Sequence, residues 1–215
     1  MARQLQGAAG LVKVGSQLFT AEGPRVMKVL AGLGFGVFLD LKFHDIPNTV
    51  VGAVTAAAEL PKVRLMTLHT LGGLAMMRAA RNAVGKGKNR PKLLGVTILT
   101  SMDEAALGGV GIAGRPAERV VALAKLAQDA GLDGVVASGQ EARAIRTACG
   151  PGFRIVVPGV RPTTASADDQ SRVTTPAEAI SAGADYLVVG RPITEARDPR
   201  LAALAIVREI SSARR

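Results

Sequence analysis

The sequence predicts an α/β domain, a parallel (β/α)8 barrel seen without its first strand, and three observations lead there. Short apolar, β-branched runs alternate with helical stretches along the whole chain. Most of those runs are apolar on consecutive residues, as in parallel strands covered on both faces. Seven of them follow an opening segment, residues 2–9, that looks like the last turns of a helix. Strict β-then-α order leaves an open doubly wound sheet or a closed barrel, and a chain that starts on a helix with seven strands behind it fits eight units short of one stave. Such barrels typically run to ~250 residues. The 215 residues here are read as one barrel domain, 1–215, lacking the first strand and part of the first helix.

In chain order, the predicted strands are Leu11–Gly15, Gly36–Leu41, Val63–His69, Leu93–Thr100, Leu132–Ala137, Phe153–Pro158 and Tyr186–Gly190. Between the first two, Val26, Val29, Leu30 and Leu33 recur at helical spacing, with Pro24 before them and Gly34 after. Those are start and stop signals for an amphipathic helix. Further helices are expected over 47–60, 72–84, 117–131, 139–148, 175–183 and 199–213. No linker, internal repeat or low-complexity segment interrupts this order. Gly85–Lys92, Gly-Lys-Gly-Lys-Asn-Arg-Pro-Lys, reads as a solvated basic connection.

Composition narrows the function classes. Mean hydropathy is +0.26, yet the longest apolar runs, such as Leu93 to Leu99, fall far short of the ~20 residues of a spanning helix. No leader pattern opens the chain, and a lone Cys149 makes no internal disulfide, which favours the cytoplasm. A formal charge of +10, from 27 Lys and Arg against 17 Asp and Glu, suggests an anionic ligand. With 3% aromatics and no Trp, stacking platforms for single-stranded nucleic acid are scarce. A small phosphorylated molecule fits better. No His/Cys/Asp cluster has metal-ligand spacing.

Parallel α/β domains place chemistry where strands end. There, Phe38-Leu39-Asp40-Leu41-Lys42-Phe43-His44-Asp45-Ile46-Pro47-Asn48 sets three charges close together. Asp40 and Lys42, two apart in a strand, point to one side. Inside a barrel an acid and a base must pair. The competing reading makes Asp40 and Lys42 a structural ion pair and Asp45 an N-cap.

This string resembles the signature of orotidine 5′-phosphate decarboxylases, Asp-x-Lys-x-x-Asp followed by Ile-Pro. Similar matches run in family order through Val12-Lys13-Val14-Gly15 with Phe19 to Pro24, His69 with Gly72-Gly73, and Val96 to Ser101. They continue through Gly131 to Ser138, Pro158-Gly159-Val160-Arg161, Asp169-Gln170 with Arg172-Val173, and Val188 to Thr194. The resemblance covers essentially the whole chain. It implies a homodimer that converts orotidine 5′-phosphate to UMP and CO2 with no metal or organic cofactor. Lys42 would protonate C6 and stabilise the developing carbanion, with Asp40 and the opposite subunit's Asp45 holding it charged. Ile46 would reach the partner's site beside Asp45. Lys13 would hold the ribose hydroxyls, Thr100 the base or the ribose, and Thr49 is a further binding position. Phosphate would fall to Pro158, Arg161, Gln170, Gly190 and Arg191, with the polar stretch Pro162–Ser171 as a lid. His44 is read as a packing residue; His69 is left between core and site wall.

The family's opening strand ends in Ala-Leu-Asp, and neither that strand nor its aspartate has a counterpart in this sequence. A start site upstream of Met1, a deliberately shortened chain and a true truncation are all open, and the first is expected. A form extended upstream should then be more stable and more active. Two rival functions remain. One is a magnesium-dependent sugar-phosphate decarboxylase of the same superfamily, which Ile46-Pro47-Asn48 and Val188 to Thr194 disfavour. The other is a catalytically impaired basic barrel that binds RNA or a protein partner.

Overall fold

The structure, a computed structural model, describes residues 1–87, 89–162 and 174–213. Its strands are β1 (Leu11–Gly15), β2 (Gly36–Phe43), β3 (Val63–His69), β4 (Lys92–Val96), β5 (Gly134–Val136), β6 (Arg154–Val157) and β7 (Tyr186–Leu187). Each pairs in parallel with the next in sequence, in the unbroken order β1 to β7. A doubly wound sheet reverses its strand order at a switch point, whereas barrel staves never do. The topology is therefore that of barrel staves. Helices α1 (Ser16–Glu22), α2 (Arg25–Gly32), α3 (Pro47–Ala58), α4 (Gly73–Ala83), α5 (Glu104–Gly109), α6 (Pro116–Asp129), α7 (Gly139–Cys149), α8 (Pro176–Ser181), α9 (Arg191–Thr194) and α10 (Pro199–Ala213) fill the connections.

Two apolar layers lie on the two faces of the sheet. Phe38, Leu65, Leu94 and Val156 from β2, β3, β4 and β6 form one buried cluster, joined by Leu11, Val136 and Tyr186 from the other three strands. Among the described residues no helix side chain joins this cluster, so the strands bury that face against one another, as a sheet curled around it does, and this cluster is the barrel interior. The larger layer packs the outer faces of the strands on the helices, with Val37, Leu39, Met66 and Leu93 against Val54, Met76, Ala124 and Ile145. A third cluster of Leu5, Ala8, Phe35 and Ala203 brings the two ends of the chain together. There the Arg200 guanidinium donates to the Gln6 carbonyl.

Several boundaries differ from the sequence expectation. Residues Ala2–Leu5 form a 3-10 helix, not an α-helical turn. In α2 the buried side chains are Met27 and Leu30, and Val29 is 62% exposed. The helix turns its flexible thioether inward, which suits an irregular gap. β2 runs on to Phe43, β4 stops at Val96 and β7 is only two residues long. α1, α5 and α9, all of seven residues or fewer, were not anticipated, because one or two turns leave little periodicity to read.

The starts of β5 and β7 use one device twice, although no repeat was expected. In Ala130-Gly131-Leu132-Asp133 and Ala182-Gly183-Ala184-Asp185, the glycine takes the left-handed φ, +80° and +105°, that ends a helix cheaply. The aspartate amide then donates to the preceding strand, Asp133 to the Leu93 carbonyl at 3.0 Å and Asp185 to that of Ile155 at 2.9 Å. Each carboxylate accepts the amide of the same residue, at 2.9 Å in both cases. Guanidiniums complete the anchors: Arg90 with two bonds of 2.7 Å on Asp133, and Arg146 at 2.7 Å and Arg154 at 2.6 Å on Asp185. Burial pushes both carboxyls up, but the amides and guanidiniums outweigh it and hold them below the usual carboxylate range.

Candidate active site

All the strands end on one edge, and most of the residues singled out from the sequence lie there. β1 brings Lys13 and Gly15, β2 brings Asp40 and Lys42, β3 ends on His69, and Thr100 follows β4. Pro158 and Arg161 follow β6, and Gly190 and Arg191 follow β7.

The centre is Asp40, 8% exposed inside the mouth. Its Oδ2 accepts from Lys42 Nζ at 2.9 Å and lies 3.5 Å from Lys13 Nζ. Its Oδ1 accepts from the Thr67 hydroxyl at 2.9 Å. One buried carboxylate thus gathers two ammonium groups. A buried charge is expensive unless paired and hydrogen-bonded, and Asp40 meets both conditions. Gly15 sits beside Asp40 in the β1–β2 register. A Cβ there would come within 2.9 Å of Lys13 Nζ, so the missing side chain makes room for that ammonium.

Lys42 has φ +52°, a left-handed conformation that costs an L-residue roughly 1–2 kcal/mol. Such strain persists where the surroundings hold it, often at functional sites. Simple strand alternation does not describe this segment, because β2 is out of step with β3 between Leu39 and Phe43. Asp40 and Lys42 do meet, by way of that irregularity.

Across the mouth, Gly159, Val160, Arg161, Val188, Gly190 and Arg191 line a cavity of about 180 Å³. Arg161 is buried and Arg191 half-buried. Val160 and Thr174 form an isolated bridge here, with the Arg161 amide donating to the Thr174 carbonyl at 3.1 Å. Gln170 and most of the expected lid lie outside the described residues. Two guanidiniums and exposed backbone around one small cavity suit an anion of phosphate size.

Asp45, Ile46 and Thr49 are exposed, Ile46 at 67%. Asp45 does not cap α3: its Oδ1 accepts the Ile46 amide at 2.6 Å, and the cap position is Ile46. Thr100 is half-buried. The rings of His44 and His69 stack with centroids 5.3 Å apart. Burial first, then His44 and the Lys42 ammonium, push the His69 imidazole below its ordinary value, which favours the neutral form. A larger cleft of about 350 Å³, among Lys92, Asp133, Cys149 and Arg154, opens where the strands begin, at the end away from this edge. Among the described residues no three His, Cys, Asp or Glu side chains converge as a metal site.

Thr67 was not anticipated. Its signal was present as one polar residue in the apolar run Leu65-Met66-Thr67-Leu68, fully buried in the structure, where a hydroxyl needs partners.

Comparison with known proteins places this geometry in a lineage. The profile of the orotidine 5′-phosphate decarboxylase / HUMPS family matches residues 1–206. The chain is 54% identical to the orotidine 5′-phosphate decarboxylase of Nitrosococcus oceani over 212 residues, 99% of this chain and 91% of that protein. It is 55% identical to that of Trichlorobacter lovleyi, over 97% of this chain and 88% of the relative. The crystal structure of the Lactobacillus acidophilus orotidine 5′-phosphate decarboxylase superposes with a TM-score of 0.81 at 40% identity, covering 93% of this chain and 86% of that one.

Proposed function

The chain belongs to the orotidine 5′-phosphate decarboxylase / HUMPS family, and from that premise we propose that it converts orotidine 5′-phosphate to UMP and CO2 in pyrimidine biosynthesis. Relatives at 50–55% identity over nearly the whole chain carry that name. The observation that carries the mechanism is the Lys42 ammonium held 2.9 Å from Asp40 at the mouth of the barrel.

In this reading the C6–carboxylate bond breaks, CO2 leaves, and the electron pair stays on C6. Lys42 Nζ gives its proton to C6, forming the C6–H bond of UMP, and the neutral amine regains a proton from solvent. Before transfer, the ammonium faces the growing negative charge. Unit charges 4 Å apart at an effective dielectric of 20 attract by about 4 kcal/mol, or roughly a thousandfold in rate. Asp40 holds the ammonium in place through the 2.9 Å ion pair.

Lys13 takes the ribose hydroxyls from the far side of Asp40, and Thr100 and Thr49 are further substrate contacts. Pro158, Arg161, Gly190 and Arg191 take the phosphate, with Gln170 as a further contact. The chain works as a homodimer in which Asp45 and Ile46 cross to the partner's site, and the outward position of both residues supports this. Orotidine 5′-phosphate and UMP are its ligands, rather than a nucleic acid, and the chemistry needs no cofactor. Among the described residues no helix is long and apolar enough to cross a membrane, and the reading places the enzyme in the cytoplasm.

The test is to follow the absorbance of orotidine 5′-phosphate with the wild-type protein, with and without a chelator, beside Lys42→Ala. Turnover that survives chelation and falls at least a thousandfold in the variant is expected. Activity retained by Lys42→Ala would remove Lys42 as proton donor, and loss on chelation would favour the magnesium-dependent rival.

A further inference from the structure

The pairing of β2 with β3 is interrupted at Asp40 and Lys42. Leu39 lies opposite Met66 and Phe43 opposite Leu68, so three residues of β2, Asp40, Leu41 and Lys42, face the single residue Thr67. A bulge of this kind leaves backbone groups without ladder partners, and those that are buried must be satisfied elsewhere. The Lys42 amide finds its acceptor in Thr67 Oγ1 at 2.9 Å. That contact fixes the direction of the second one. An N–H can only donate, so the hydroxyl's single proton is free for Asp40 Oδ1, 2.9 Å away. One fully buried hydroxyl therefore holds both the carboxylate and the backbone of the lysine it pairs with. With Oδ1 engaged, Oδ2 is left to the two ammonium groups of Lys42 and Lys13.

We propose that Thr67 is a positioning residue for the decarboxylation: its hydroxyl orients the Asp40 carboxylate and pins the left-handed backbone of Lys42, and so aims Nζ at C6. The inference rests on the function proposed above. Thr67 is fully buried and acts through the Asp40 carboxylate and the Lys42 backbone. Its effect falls on the proton-transfer geometry, because the phosphate is held on the opposite side of the mouth.

Thr67→Val keeps the shape and removes both bonds; Thr67→Ser keeps both bonds and loses a methyl. Misplacing a reacting group by about 1 Å costs roughly a hundredfold in rate. In Thr67→Val, kcat should fall by about that factor while UMP affinity measured by calorimetry stays within about threefold. Thr67→Ser should recover kcat to within about fivefold of wild type. If Thr67→Val does not fold, Thr67→Ala carries the same expectation. A crystal structure of the folded variant should show Lys42 relaxed out of positive φ or the Asp40 carboxylate rotated. The inference is overturned by unchanged kcat, by kcat and UMP affinity falling in equal proportion, by a serine variant as slow as the valine one, or by Asp40 and Lys42 unmoved in the crystal. Should the wild type fail to decarboxylate orotidine 5′-phosphate, the proposed function fails, and the crystal structure still decides whether Thr67 sets this geometry.

Discussion

Replacing Asp185 by Asn tests how the Arg191 side of the mouth, the proposed phosphate side, is held. β7 is an outer strand of the described sheet, with two register pairs to β6, and Gly190 and Arg191 lie just beyond it. Its position rests on Asp185, whose carboxylate accepts from Arg146, Arg154 and the Ile155 amide at 2.6–2.9 Å. Hydrogen bonds to a charged group contribute roughly 1.5–3 kcal/mol each, and removing one partner of a buried pair costs roughly 3–5 kcal/mol. Arg154 is 42% exposed, so its share is screened by solvent and discounted. Asn also keeps one acceptor oxygen. The expected loss is about 3 kcal/mol, or roughly 6–12 °C in Tm for a chain of this size. UMP affinity should fall as well, because the strand that carries the Arg191 end loosens. Asp133→Asn is the control: it breaks the twin anchor at β5, should cost comparable stability, and should leave UMP binding per folded molecule unchanged. Urea melts and calorimetry of both variants read the two effects. A Tm within 2 °C of wild type for Asp185→Asn, or equal losses of UMP affinity in the two variants, would refute the reasoning.

Two further outcomes follow from the same geometry. Asp133 and Asp185 are both held below their ordinary pKa, so as pH falls through the unfolded value near ~4 the unfolded chain takes up protons that the folded chain refuses. Their stabilisation is complete above that value and lost progressively below it, and urea midpoints that do not fall between pH 5 and 3 would contradict the assignment. Gly15→Ala places a Cβ where the Lys13 ammonium now sits; the flexible side chain moves aside at little cost in stability, and UMP binding should weaken by roughly tenfold, about 1.4 kcal/mol. Calorimetry with unchanged affinity would separate Lys13 from the ribose.

Much of the site is contiguous in sequence, and that part was legible. Asp40 and Lys42 are two residues apart, and their place at a strand end could be read from the apolar run before them. The contacts formed across strands could not. Thr67 is 25 residues from the amide it accepts and 27 from the carboxylate it donates to. Strand pairing brings them together, and a register break at Asp40 is invisible to a pattern that assumes strict alternation. Arg161 and Arg191 are likewise thirty positions apart, and the parallel pairing of β6 with β7 brings them to one cavity.

The unbroken order of the staves was settled only by the sheet pairing, whereas the alternation of strands and helices was determined by the sequence alone, because short apolar runs alternate with helical stretches along the chain. The identity of the central acid and base was determined the same way. Only the tertiary structure decided how they are held: which oxygen of Asp40 meets which cation, and which hydroxyl stands in for the missing ladder bond. The physical reason is that chain propensities and periodicity act over a few neighbouring residues. A buried charge is stabilised by whatever groups the fold delivers to it, from any distance along the chain.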